Sequence, residues 1–180
     1  MLALADRPRP EDPICVSPLA ALERALEDIA AVVAALSPQA YRARPMPNAS
    51  GSIGEHVRHC LDHVSALVSA DPSCGLSYDR RDRGTVVETD PTRALRCIQL
   101  LRIRVAVGRW STRLDEPIGV TSAMSRGGGV VTAMSTLARE LAFVLNHTIH
   151  HQAMIGLLAS LHGVDVPEGF GYAPSTPFPR

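Results

Sequence analysis

The stretch that most restricts the fold runs from Leu141 to Leu161, with no Pro and a single Gly, Gly156. So long a segment without a turn signal reads as one helix rather than as a strand. It is mostly apolar, yet it carries Asn146, His147, His150, His151 and Gln152, and Arg139 and Glu140 directly precede it. Those polar groups argue against a membrane span and for a helix buried at the centre of the protein. His147 and His151 are four apart and therefore lie one turn from each other on one helix face. That is the spacing at which two imidazoles reach the same metal ion.

Six of the seven histidines fall in two groups, His56, His59, His63 and His147, His150, His151; only His162 stands apart. A lone His on an apolar helix is ordinarily a core residue with one hydrogen bond. Two groups on two helices imply a shared site. If those helices are neighbours, three nitrogens converge and one coordination position stays open, as in catalytic or ligand-binding centres. Imidazole-only ligation suits Zn, Ni, Cu or Fe. The competing reading is a histidine-rich core that holds no metal.

The rest of the chain supplies the scaffold. Residues 1–16 are Pro-rich and charged and are expected to form a loose arm. Ser17-Pro18 opens a first helix, in which Leu19, Leu22, Leu26, Ile29, Val33 and Leu36 recur at helical steps until Ser37-Pro38. Residues 38–50 read as a loop. A second helix is predicted from about Ser52 to Ala70, with Ile53, Val57, Cys60, Val64, Leu67 and Val68 on its core face and Asp71-Pro72 ending it.

The polar stretch from Ser73 to Thr89 reads as a solvated loop, or as a clamp for an anion through its arginines. Asp90-Pro91 opens a third helix to about Ser111, with Ala94, Leu95, Ile98, Leu101 and Val105 inward. The runs 117–124 and 130–134, separated by Gly127-Gly128-Gly129, predict a small hairpin. The fourth helix then starts near Ser135-Thr136 and closes at Gly163, and residues 164–180 form an irregular tail packed on the body. An all-α four-helix bundle over residues 17–163, with a β-hairpin between the third and fourth helices, is the expected fold.

Several function classes are disfavoured. The eighteen basic residues are all Arg, balanced by as many acids, so no basic stripe for nucleic acid exists. The triple Gly lacks the Lys of a phosphate-binding P-loop. Thr148 stands where a zinc protease places its Glu, no other acid lies within the helix run itself, and Glu55 and Asp62 point elsewhere on the second helix. No Gly-x-Ser-x-Gly elbow is present. Cys15, Cys60, Cys74 and Cys97 show no paired spacing, and Met1 to Pro13 lacks the apolar core of a signal peptide, so a cytoplasmic protein is expected.

Ser52-Ile53-Gly54-Glu55-His56-Val57-Arg58-His59, followed by His147-Thr148-Ile149-His150-His151, resembles the DinB/YfiT-like superfamily of four-helix metal-binding proteins. The resemblance extends to the loop Tyr78-Asp79-Arg80-Arg81-Asp82-Arg83 and to the tail from Phe170 to Thr176, although Gly84 stands where some relatives carry Asp. It implies a divalent metal, Zn or Ni, held by three histidines. By position these are His59, His147 and His151, with His56 the alternative to His59. His63 and His150 are then outer partners or substitutes.

Two functions follow from the resemblance. One is a metal-dependent enzyme, a thiol S-transferase or a hydrolase, in which Tyr78, Arg81 or Arg83 binds a small substrate such as a low-molecular-weight thiol. The other is a non-catalytic, metal-dependent small-molecule binder or stress-response protein. Exposed apolar helix faces would also serve a homodimer.

Overall fold

The computed structural model describes residues 17–45, 51–79, 84–108 and 112–176. The expected N-terminal arm and Arg81 and Arg83 lie outside these residues. Five helices, one 3-10 turn and a two-stranded antiparallel sheet make up the described chain.

Pro18–Ala35 forms α1, with Leu22, Leu26, Ile29 and Val33 buried as the helical spacing predicts. The loop expected over 38–50 contains instead a single-turn helix, α2, Pro38–Arg42. It starts as α1 does, with Ser then Pro, and the Ser37 hydroxyl accepts the Ala40 N–H at 3.1 Å. Its purpose is to seat Tyr41, which is fully buried and whose O–H donates to the Val87 carbonyl at 2.8 Å.

Helix α3, Ile53–Val68, opens on a capping box. The Glu55 N–H donates to the Ser52 hydroxyl at 3.2 Å, and the Ser52 N–H donates back to the Glu55 carboxylate at 2.7 Å. Ser52→Ala is therefore expected to lower the stability by about 1 kcal/mol, read from the urea unfolding midpoint. An unchanged midpoint would show that the box carries no net stability. The chain after α3 is not wholly irregular: Val86–Glu88 forms a 3-10 turn, tied to α3 by the ion pair of Arg58 with Glu88.

Helix α4, Pro91–Val107, is capped by Asp90, whose carboxylate accepts the N–H groups of Thr92 and Arg93. It stops at Gly108, short of the expected end near Ser111. Strands β1, Pro117–Ala123, and β2, Val130–Thr136, pair in the register Pro117 to Thr136 through Ala123 to Val130. The hairpin delivers the chain into α5, Leu137–Ser160, whose first amides donate to the carbonyls of Glu116 and Leu114. Beyond α5, Phe170 is buried against Gly156 and the Gly171 backbone lies close to Ala153, so the tail segment 164–171 rests on α5.

Helix α3 packs against α4 and α5, and α1 packs against the same two helices. One cluster of buried side chains from all four joins Tyr41, Leu76, Ile118 and Phe170 into a single core. Among the described residues no helix is long and apolar enough to cross a membrane.

Candidate metal centre

The histidines reach one place because α3 and α5 are neighbours and each carries them on its facing side. His56, His59 and His63 occur at steps of three and four on α3, and His147 and His151 at a step of four on α5. The two helices run in opposite directions here, so ascending residues on one meet descending residues on the other. His56 faces His151, with their Nδ1 atoms 3.0 Å apart. One turn along, His59 faces His147, with their Nε2 atoms 2.8 Å apart. One turn further, His63 lies against His147 and Phe143, at ring-centre distances of 4.3 and 6.2 Å.

Among the described residues, one group of ligand atoms lies within 4.8 Å of one another, from His59, His63 and His147. The His63 Nδ1–H donates to the His59 carbonyl at 3.0 Å, which leaves the lone pair on Nε2. Two nitrogens bound to one tetrahedral Zn stand ~3.3 Å apart, given bonds of ~2.05 Å. The His59 and His147 nitrogens are a little closer than that, and a slight ring rotation opens them to the required separation. The group therefore fits a borderline divalent ion, and its lack of carboxylates disfavours Mg or Ca.

His151, the third ligand implied by the resemblance, packs edge-on against both His59 and His147, with ring centres 4.5 and 4.6 Å away. Its ring borders the same space, while its Nδ1 faces His56. His150 points away from this space: it is exposed, with its ring centre 6.4 Å from that of His147. Thr148 turns into the core, where its hydroxyl donates to the Val144 carbonyl at 2.8 Å. Asp62 pairs with Arg58, and Glu55 with Ser52 and Arg44.

Two aromatic rings and an acid complete the surroundings. Phe143 stacks on His147 at 5.7 Å, and Tyr78 stacks on His63 at 5.0 Å with the ring planes 7° apart. Tyr78 gets there because Leu76, two residues earlier, is hydrogen-bonded beside β1 through Gly119 and Thr121. In that extended segment residues two apart face the same side, so Leu76 and Tyr78 both point inward. The Tyr78 hydroxyl donates to Glu140 at 3.0 Å, and the Ser135 hydroxyl donates to the other Glu140 oxygen at 2.7 Å. Burial, and then the Glu140 charge, hold the Tyr78 phenol well above its ordinary pKa. Glu140, which stands directly before the helix run in the sequence, is thus joined to the histidine group through Tyr78. It lies seven residues before His147, two turns along the same face, and is buried.

Burial, joined by the charges of His147, His56, His150 and His63, pushes the His151 pKa down from 6.5 to about 3. Burial likewise lowers His56, with Glu55 opposing and His150 reinforcing the shift. In the metal-free protein His151 then stays neutral at pH values where the unfolded chain takes up a proton. The unfolded state binds more protons below about 6.5, so stability falls as the pH drops toward 3. With a discount for the half-exposed ring, the loss from pH 7.5 to 4.5 is roughly 1–2 kcal/mol. Urea unfolding of the metal-free protein and of His151→Gln at both pH values isolates it; equal pH dependence in the two would refute it.

The chain is similar to known proteins in sequence. FK506-binding protein 5 of Rhizopus delemar is 32% identical over 103 residues, 56% of this chain. The match spans only 26% of that relative, so the chain corresponds to about a quarter of its length. The family model of the DinB superfamily matches residues 21–155, more than half of the chain and all the histidines of the two groups. The chain belongs to the DinB superfamily.

Proposed function

We propose that the protein is a divalent-metal-dependent enzyme on a DinB-like four-helix bundle, whose metal would activate a low-molecular-weight thiol, as an S-transferase, or a water, as a hydrolase. The bundle reading rests on the closed set of neighbours, α1 with α4 and α5, and α3 with α4 and α5. The observation that carries the functional reading is the group of three histidine nitrogens within 4.8 Å, two of whose rings are only half-buried. Three protein nitrogens leave at least one position for an outside group, and partial exposure lets that group in.

A Zn or Ni ion there acts as a Lewis acid that lowers the pKa of a thiol or water brought up to it. The protein's own contribution is positional. His63 is fixed by its bond to the His59 carbonyl on one side and by the Tyr78 ring on the other. Tyr78 is fixed in turn by Glu140, which keeps the phenol protonated and engaged. Tyr78 thus serves this reading better as a support for His63 than as a direct substrate ligand. Zn- or Ni-loaded protein is expected to catalyse conjugation of a low-molecular-weight thiol to an electrophile, or hydrolysis of an activated ester. Activity that persists unchanged in His147→Ala sinks the proposal.

A further inference from the structure

Strand β1 has a neighbour on each side, whereas β2 has one only. The Leu76 N–H donates to the Gly119 carbonyl at 2.9 Å, and the Thr121 N–H donates to the Leu76 carbonyl at 2.8 Å. The Ala123 N–H donates to the Asp79 carboxylate at 2.7 Å. Gly119, Thr121 and Ala123 thus turn their backbone groups away from β2. Ile118, Val120 and Ser122 are then the β1 residues bonded to Ser135, Ala133 and Val131 across the ribbon. By the same alternation Val130, Thr132 and Met134 point their N–H and C=O groups out of the opposite edge of β2. Among the described residues no hydrogen bond reaches that edge. Residues 130–134 are all exposed.

An open edge is ordinarily blunted by Lys, by Pro or by a bulge. Strand β2 carries no such device: Val130–Thr136 contains no charge, no Pro and no Gly, and its register with β1 is unbroken. Its side chains are apolar as well, Val130 being 64%, Val131 50% and Met134 73% exposed. The order of the residues says what covers them. From 130 to 134 the strand reads Val-Val-Thr-Ala-Met, two apolar residues on each side of Thr132, so the pattern is the same in both directions. Antiparallel pairing of a strand with its own copy needs that symmetry, because each residue meets the one equally far from the axis. We infer that β2 pairs edge to edge with β2 of a second copy, about a two-fold axis at Thr132, so that the two hairpins form one continuous sheet in a homodimer. Val130 of one copy exchanges both backbone bonds with Met134 of the other, and Thr132 does so with Thr132. Val130 and Met134 cover each other on one face, and Val131 and Ala133 on the other. No charge meets its like across the axis. An extended peptide of another protein is the competing occupant; it uses the same backbone groups but has no need of the two-way pattern.

The test is mass against concentration by analytical ultracentrifugation of the untagged full-length protein, together with amide hydrogen exchange. The wild type is expected to be a dimer. The amides of Val130, Thr132 and Met134 should exchange more slowly as dimer forms, while those of Val131 and Ala133, already bonded to β1, keep their rates. Thr132→Lys places two like charges on the axis and is expected to lose the dimer while keeping its circular dichroism spectrum. The Thr132 hydroxyl also lies 2.8 Å from that of Thr121, so Val130→Lys is the second variant should Thr132→Lys lose the fold. Leu100→Lys, on an exposed apolar position of α4, is expected to remain a dimer. A wild type that is monomeric at every concentration overturns the pairing and leaves the edge to a peptide of another protein. A dimer that survives in the folded Lys variants of β2 overturns it equally, as does one lost in Leu100→Lys alone. So does a dimer in which the amides of Val130, Thr132 and Met134 exchange as fast as in the monomer.

Discussion

His147→Ala is expected to lose the tightly bound ion while keeping its helices. His147 is the residue on which the whole group turns. Its ring contacts those of His59, His63 and His151, and its Nε2 is the one apposed to His59. Partners that merely orient a ligand are worth roughly 10–100-fold in metal affinity, and loss of a ligand itself exceeds that range. The fold should survive, because Ala is the best helix former and the His147 ring is only half-buried. The readouts are metal content after dialysis and the far-ultraviolet circular dichroism spectrum; a metal-replete His147→Ala protein refutes the assignment. Two further variants sort the third nitrogen. If the group of closest nitrogens is the working one, His63→Ala loses the tight ion and His151→Ala keeps it. The reverse result supports the ligand set implied by the family resemblance, His59, His147 and His151.

The choice of third ligand shows where sequence reasoning stops. Periodicity placed α1, α3, α4, α5 and the hairpin, because each has a long apolar stripe or an alternating run bounded by capping or turn residues. It missed α2 because a five-residue helix has room for only two inward residues, Ala40 and Tyr41, and because Pro38 doubles as the end signal of α1. The histidines were legible as two clusters, since i, i+3, i+4 and i+7 spacings translate directly into helix faces. Which histidine faces which was not legible. It depends on the axial offset between α3 and α5, and no local pattern encodes an offset. On the wheel His59 sits farther from the apolar face than His56 or His63, and it is indeed the least buried of the three. That position at the edge of the core is what turns it toward His147. Glu140 was legible directly before the helix run, seven residues from His147, whereas its partnership with Tyr78 spans 62 positions and had no signal at all.

Gly54→Ala is the substitution on which sequence and structure disagree in sign. From the sequence, a Gly inside a helix replaced by Ala gains up to about 1 kcal/mol, through propensity and a less free unfolded chain. In the fold, a Cβ at position 54 would lie 2.0 Å from the Glu88 carbonyl oxygen and 2.7 Å from both the Glu88 carbonyl carbon and Cε1 of Tyr41. Neither neighbour can yield. The Glu88 carbonyl belongs to the 3-10 turn that Arg58 ties to α3, and Tyr41 is fully buried with its hydroxyl on Val87. Relief requires α3 to move off the turn as a body, and overpacking of that kind costs roughly 3 kcal/mol or more. For a chain of this size the melting temperature then falls by about 6–12 °C. Gly156→Ala is the control: its Cβ would meet the Phe170 ring edge at 3.3 Å, a side chain that can shift, so its cost should be small. Because α3 carries His56, His59 and His63, displacing it also disturbs the cross-helix histidine pairs, and Gly54→Ala should weaken metal binding without touching a ligand. Thermal unfolding of the metal-free protein and a metal titration check both effects. A Gly54→Ala protein as stable as the wild type would mean that the contact between α3 and the 3-10 turn is not as close as these distances require.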